Sequence, residues 1–180
     1  MSMTGGIPID CGSETRIRRY REDDLEALLL QADHPQVAAT LRDAFPHPYT
    51  RQDAEQWIAL ATGECSGTNF VIESGGAFAG GIGLMLTDAE RRITAEIGYW
   101  IGPDFWGRGI VTDAVSGFVP WVFDTCPEVL RIEAPVYHVN PASARVLEKN
   151  GFHHEATLSR SVRKGDRILD QLMYVRFRGE

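Results

Sequence analysis
The chain of 180 residues is long enough for one well-buried domain and too short for two of ordinary size. Its 43% hydrophobic and 24% charged residues are typical of a globular protein and exclude wholesale disorder. A formal net charge of −7 disfavours nucleic acid as a partner, because nucleic-acid binders usually present a basic face.

The first third of the chain is predicted to be mainly helical after a flexible start. Residues 1–13 are Gly-rich and aperiodic, and they are expected to form a flexible tail before a single domain over 14–180. Capping residues and apolar residues at helical spacing then predict one strand and three helices. These elements are, in order, a strand over 14–20, a helix capped by Asp23 or Asp24, a short helix from Pro35 to about Arg42, and a helix capped by Thr50 and Asp53.

The rest of the chain is predicted to be strands interrupted by two helices. The predicted elements are a hairpin of 70–73 and 77–86, a strand over 93–101, a helix over 111–122 that Pro120 is expected to kink or end, a strand over 130–137, a helix over 141–150, and a closing hairpin of 152–159 and 169–177. This order predicts an α/β (α+β) fold with a mixed, mostly antiparallel sheet and helices on both faces.

The compartment is predicted from what the sequence lacks. No apolar run approaches the roughly 18 residues that a membrane span needs. The first ten residues lack the basic start and apolar core of a signal peptide. Three scattered cysteines, Cys11, Cys65 and Cys126, show neither a disulfide framework nor metal-ligand spacing. We therefore expect a cytoplasmic protein with reduced thiols, no metal and no membrane partner.

A glycine-rich loop lies between a predicted strand and a predicted helix, at Trp106-Gly107-Arg108-Gly109-Ile110-Val111-Thr112. Successive backbone N–H groups of such a loop can converge on one anion, and the helix N-terminus adds partial positive charge. Arg108 can add charge-assisted hydrogen bonds to phosphate. The loop matches neither the dinucleotide fingerprint nor the Walker pattern. These residues alone leave open a phosphate-binding loop and a plain tight turn.

The segment Asn140-Pro141-Ala142-Ser143 is typical of a helix start. Asparagine is a favoured N-cap, proline is favoured at the first helical position, and Gly151 is placed to end the helix. Taken by itself, the segment predicts an ordinary capped helix.

Together, these motifs resemble the GNAT superfamily of acetyl-CoA-dependent N-acetyltransferases. The chain is most similar to the branch of the ribosomal-protein N-terminal acetyltransferases RimJ and RimL, from about residue 14 to residue 177. The stretches that carry the resemblance are 46–50, 53–58, 96–101, 106–112, 140–143 and 148–152. Their order and spacing are specific, although no single stretch would be.

The resemblance implies a GNAT fold whose sheet is splayed between its two middle strands to admit acetyl-CoA. In the family, one strand pairs with pantetheine and the loop holds the pyrophosphate. The residues that this implies for cofactor binding are Ile97, Tyr99, Trp100, Ile101, Trp106, Gly107, Arg108, Gly109, Ile110, Val111, Thr112, Asn140 and Ser143. Pro135 removes one ladder donor, which suits the place where the strands splay.

Three positions depart from the usual pattern of the superfamily. Trp106 stands where Gln or Arg is usual, although Trp is common in this branch, and Val111 stands where Gly or Ala is usual. Leu147 occupies the position of a tyrosine that many members use as an acid for the leaving thiolate. Tyrosine chemistry at that position is therefore excluded.

Two residues are candidates for catalysis. Glu96 is the carboxylate that the resemblance places best for a general base, and its alternative is a solvated or salt-bridged strand residue. Other candidates for the base are Glu133, His138 and Asp104. Ser143 is a poor acid, but its hydroxyl can hydrogen-bond the charge developing on sulfur.

The chemistry of the amine bears on the substrate. A protein N-terminus, with a pKa of about 7.7–8.0, costs about 1 kcal/mol to deprotonate at neutral pH, whereas a lysine amine costs roughly 4–5 kcal/mol. The first can react with a weak carboxylate acting through water. The resemblance therefore implies an N-acetyltransferase, which we expect to act on a protein N-terminal or small-molecule amine. An antibiotic- or polyamine-directed acetyltransferase and a catalytically weak acyl-CoA-binding regulator remain alternatives, and a homodimer is a further expectation from the family.

Overall fold
The computed structural model describes residues 6–12, 14–63 and 67–180. Within them, eight strands form one sheet in the order β1-β2-β3-β4-β5-β6-β8-β7, and only β5 and β6 are parallel neighbours. The strands are β1 (Ile9–Asp10), β2 (Thr15–Arg18), β3 (Asn69–Ser74), β4 (Ala77–Leu86), β5 (Thr94–Ile101), β6 (Arg131–Tyr137), β7 (His153–Lys164) and β8 (Arg167–Phe177). The helices are α1 (Leu25–Ala32), α2 (Pro35–Ala38), α3 (Arg51–Thr62), α4 (Ile110–Thr125) and α5 (Pro141–Lys149).

Side chains alternate between two cores on opposite faces of the sheet. On β3, Phe70 and Ile72 pack with Phe118 of α4, and the same core contains Leu147 of α5. Val71, which points the other way, packs with residues of α1 and α3. Helices therefore cover both faces, which confirms the predicted fold class. None of the helices formed by the described residues is long and apolar enough to cross a membrane.

The start of the chain differs from the predicted flexible tail. Ile9 and Asp10 pair with β2, and Ile7, Ile9 and Cys11 pack against the core beside α4. The prediction over 1–13 was therefore wrong for these residues, because apolar side chains at positions 7 and 9 give this short segment a face to bury. Residues 1–5 and 13 lie outside the described part of the chain, as does Cys65.

Two helices end several residues away from the predicted positions. α2 stops at Ala38 instead of Arg42. The backbone hydrogen bonds that follow join residues three apart, as in a 3₁₀ turn, and the Thr40 hydroxyl also donates to Val37 O. α4 continues past Pro120 to Thr125. Pro120 and Ser116 both lie on the exposed side of the helix, so water can reach the carbonyl that proline leaves without a donor.

The sheet splits at the junction between the parallel strands β5 and β6. β5 and β6 pair over three positions, with Glu96 opposite Glu133 as the last, whereas β4 accompanies β5 as far as Ile101. Beyond Glu96 the two strands separate, which confirms the predicted splay. On the α4 and α5 side of the split, Asn150 Nδ2 donates to Thr112 O at 3.2 Å and so joins the end of α5 to the start of α4.

Candidate active site
A groove of about 1140 Å³ runs through the split between β5 and β6. Its lining brings together almost every residue that the sequence singled out. These are Glu96, Ile97, Tyr99, Trp100, Ile101, Trp106, Gly107, Gly109, Ile110, Val111, Thr112, Asn140 and Ser143. Arg108 is not part of this lining, and its guanidinium lies 5.5 Å from the centre of the Phe105 ring.

The loop before α4 presents bare backbone to the groove. Gly107 and Gly109 have φ values of +74° and +80°, and a Cβ atom built on either would meet nothing within 4 Å. Gly109 is also the N-cap of α4, a helix of 16 residues. Open space before left-handed glycines at a helix N-terminus suits an anion, because free N–H groups and the helix dipole act together there. The loop therefore fits the pyrophosphate of a coenzyme A-type ligand.

Trp106 has a structural role in this loop. Its indole N–H donates to Ile101 O at 3.0 Å, at the end of β5, and its ring lies edge-on to His34 at 5.7 Å. The tryptophan thus fixes the loop to the strand through its side chain. This explains how an aromatic residue can stand where the superfamily usually has Gln or Arg.

The functional residues of β5 are divided between its two faces. Trp100 packs with the α1 and α3 core, whereas Ile97, Tyr99 and Ile101 pack with the α4 and α5 core. Because side chains alternate along a strand, Glu96 lies on the Trp100 side. Glu96 and Tyr99 therefore approach the groove from opposite faces of the same strand.

Glu96 is largely buried and paired. Its side chain is 19% exposed and forms an ion pair with Arg42, whose side chain is 58% exposed. Burial raises the pKa of the Glu96 carboxyl above its ordinary value, and the negative charge of Glu133 adds to this effect. Arg42 and Arg91 act in the opposite direction. The salt-bridged alternative for Glu96 is thus observed, and it coexists with a pKa shifted toward that of a useful base.

Ser143 lies in the first turn of α5, where its backbone N–H donates to Asn140 Oδ1 at 3.2 Å. Its hydroxyl lies 2.8 Å from the Tyr99 phenol, which also donates to Ser143 O at 3.2 Å. Burial raises the pKa of Tyr99, so the phenol stays protonated at neutral pH. Leu147, at the usual tyrosine position, is fully buried.

The Tyr99–Ser143 pair was not predicted from the sequence, which assigned Tyr99 only a backbone contact with the cofactor. The two residues are 44 positions apart and belong to different elements. The alternation of β5 places Tyr99 on the helical side, but the position of α5 relative to that strand cannot be read from either segment.

The other candidates for the base lie outside the groove lining. Glu133 pairs with Arg91 at 2.7 Å and Arg131 at 3.4 Å. Asp104 accepts a hydrogen bond from Gln31 at 3.0 Å, and His138 Nδ1 accepts one from the Asp170 N–H at 3.0 Å. Each of the three is therefore engaged in a structural contact. Glu96 is the best placed of the four.

Comparisons with known proteins agree with this geometry. Residues 15–153 match the family model described as acetyltransferase (GNAT) domain. The chain is 28% identical over 161 residues to the uncharacterized N-acetyltransferase p20 of Bacillus licheniformis, with 88% of this chain and 89% of that protein covered.

Solved structures share the fold. An acetyltransferase of the GNAT family from Bacillus anthracis has a TM-score of 0.84 and 21% identity, with 97% of this chain and 100% of that chain covered. Mycobacterium smegmatis RimJ in complex with CoA-disulfide has a TM-score of 0.78 and 24% identity, with coverage of 95% and 85%. The predicted likeness to a RimJ-type structure is thus confirmed for the fold.

Proposed function
Because the chain belongs to the GNAT acetyltransferase family, we propose that it acetylates the α-amine of a peptide or protein N-terminus. Proteins of this family take the acyl group from acetyl-CoA, which supplies it as an activated thioester. In this chain, the backbone of 107–111, the free edge of β5 and Asn140 would hold the donor. The observation that carries the choice of amine is the paired, largely buried Glu96 carboxylate at the point where the strands part.

Glu96 can act as the general base for such an amine. An α-amine is already partly neutral near pH 8, so removing its proton costs only about 1 kcal/mol at neutral pH. A carboxylate of raised pKa, acting directly or through water, can accept that proton. Deprotonating a lysine-like amine would cost several times more and would need a stronger base than the groove offers.

The charges of the groove also favour an α-amine over a polyamine. Its charged lining residues are two carboxylates, Asp53 and Glu96, and three cations, Arg42, Arg145 and Lys149. Glu96 is paired with Arg42, and Asp53 accepts hydrogen bonds from Thr50 at the N-cap of α3. A polycationic substrate would find few free carboxylates here, and like charges would oppose its entry.

Ser143 and Tyr99 act on the other side of the strand. The Ser143 hydroxyl can donate a hydrogen bond to the sulfur as negative charge develops on it. The Tyr99 phenol, 2.8 Å away, can direct its single proton to Ser143 Oγ in place of Ser143 O, which leaves the serine proton free to point into the groove. Proton removal at Glu96 and charge stabilisation at Ser143 are therefore separated by the strand.

The test is thiol release from acetyl-CoA with panels of N-terminal peptides, polyamines and aminoglycosides, followed by pH profiles of kcat/KM for Glu96→Gln. With a peptide substrate, the variant should lose most activity at low pH and recover much of it as pH rises, because solvent then removes the proton. Glu128→Gln, in an exposed turn, is the matched control.

Three results would contradict parts of this proposal. Acetylation of polyamines or aminoglycosides without any peptide would refute the peptide acceptor. A Glu96→Gln deficit that persists well above pH 9 would indicate a lysine-like amine. A variant as active as the wild type at every pH would remove Glu96 from the mechanism. The homodimer and the cytoplasmic location expected from the sequence stay predictions.

A further inference from the structure
Two facing glycines leave a gap between side chains on the face of the sheet that carries Glu96. Gly98 of β5 is opposite Gly83 of β4, between the pair Trp100–Gly81 and the pair Glu96–Met85. Gly98 is exposed, and a Cβ atom built on it would meet nothing within 4 Å. Its φ does not lie in the left-handed region, so the backbone does not require glycine there. The glycine therefore leaves space that another residue would fill.

Gly83, the glycine opposite Gly98, is glycine because a side chain would not fit there. A Cβ atom at Gly83 would lie 2.6 Å from Asn69 Oδ1 and 2.8 Å from Thr68 O. The Asn69 amide therefore closes one end of the space. Gly98 is left as its open floor.

The segment 42–45 crosses above this floor. Arg42 pairs with Glu96 on one side of Gly98, and the Phe45 ring lies 5.4 Å from the Trp100 ring on the other side. The space above Gly98 therefore has an aromatic wall, Phe45 with Trp100, and a polar wall in which both charges are paired.

The segment 42–45, which forms the roof of this space, is held in place by a residue of β7. Lys164, at the end of β7, donates to Leu41 O and to Asp43 Oδ1, both at 2.7 Å. The two contacts, one with backbone and one with a side chain, hold the segment on both sides of Arg42. The space is thus bounded by elements that keep its shape without a ligand, as expected of a pre-formed pocket.

We infer that this space, the Gly98 pocket, receives the side chain of the acceptor's first residue and selects a bulky apolar one, of the size of leucine, methionine or phenylalanine. The inference rests on the proposed peptide acceptor. Two residues along a strand span about 7 Å, so an α-amine at Glu96 can have its own side chain above Gly98. The aromatic wall favours apolar groups, and the paired charges of the other wall offer little to a lysine or aspartate side chain.

The experiment measures binding as well as turnover. N-acetylated product peptides that differ only in their first residue (Leu, Ala, Lys) are titrated into the protein with CoA by calorimetry, and the corresponding free peptides are assayed for acetylation. The wild type should bind the leucine product at least tenfold more tightly than the alanine product, because three additional carbons are buried, and at least tenfold more tightly than the lysine product, because the ammonium group would have to leave water.

Gly98→Val fills the pocket from its floor, and valine suits a strand. The variant should bind the leucine product at least tenfold more weakly than the wild type, while the affinity for the alanine product changes less than threefold. Gly98→Ala, the milder variant, should give an intermediate loss. An unchanged Tm shows that both variants are folded.

The outcomes separate the pocket from the proposed function. A wild type that acetylates peptides with every first residue equally well would overturn the Gly98 pocket and leave the proposed function intact. A Gly98→Val protein that keeps the leucine preference would also overturn the pocket. A wild type that acetylates no peptide and binds no product peptide, although it binds CoA, would overturn the proposed function itself.

Discussion

Replacing Arg42 by methionine should move the acid limb of the pH profile of kcat/KM to higher pH. Glu96 accepts a proton only when it is ionised, and the positive charge of Arg42 lowers the pKa of this carboxyl. Removing that charge raises the pKa, so a higher pH is needed to produce the same fraction of carboxylate. The midpoint of the limb must therefore rise.

The size of this change follows from the exposure of the pair. Arg42 is 58% exposed, so solvent screens its charge, and exposed ion pairs contribute about 0.2–1 kcal/mol. An energy of 1.36 kcal/mol corresponds to a pKa shift of one unit. Because Glu96 itself is largely buried, we take a value in the upper part of the energy range, and the midpoint should then rise by about half a pH unit.

The assay is the pH dependence of kcat/KM with a confirmed peptide substrate. Arg42→Lys keeps the charge and should leave the midpoint nearly unchanged. Arg51→Met breaks another exposed Arg–Glu pair, with Glu26, away from the groove lining and is the matched control. A midpoint that falls, or one that stays in place while only KM changes, would refute the coupling between Arg42 and a catalytic Glu96.

Three further predictions concern the loop, the hydroxyl pair and the roof. Gly109→Asp should abolish CoA binding in calorimetry. Gly109→Asn, which tolerates a left-handed backbone equally well, should keep part of that binding. Equal CoA affinities of the two variants would contradict an anion site. Ser143→Ala and Tyr99→Phe should each lower kcat by up to about tenfold. The double variant should resemble Ser143→Ala alone, and additive losses would show that the hydroxyls act separately. Lys164→Met should lower Tm by about 2–4 °C and raise the peptide KM severalfold, and an unchanged KM would separate the roof from binding.

Elements with strong local signals were predicted closely. The capping box of Thr50 and Asp53 begins α3 as expected, and β4 has the predicted bounds. The early end, one of the two outcomes expected at Pro120, was wrong because the cost of proline depends on whether the freed carbonyl faces water, which is set by the packing of α4. The local rule was sound, but the tertiary environment decided the outcome.

The sequence indicated the backbone segments of the candidate site but not the pairs of side chains that contact each other in it. The loop before α4 and the start of α5 could be recognised because each is a continuous motif. Arg42 and Glu96 are 54 positions apart, and Lys164 lies 121 positions from Asp43. Such contacts depend on the register between strands and on where a loop crosses the sheet, and neither is encoded within a short stretch of sequence.

The junction between β5 and β6 also determines how the domain can deform. Three aligned residue pairs join β5 to β6 at one end of the junction. The two parts of the sheet therefore resist separation at that end only. At the other end, the hydrogen bond from Asn150 to Thr112 O holds the α5 side against the α4 side. The width of the opening therefore depends on how α5 is held, by Asn150 against α4 and by the Tyr99–Ser143 contact against β5, and a change in helix packing far from any ligand can alter how tightly the acyl donor is bound.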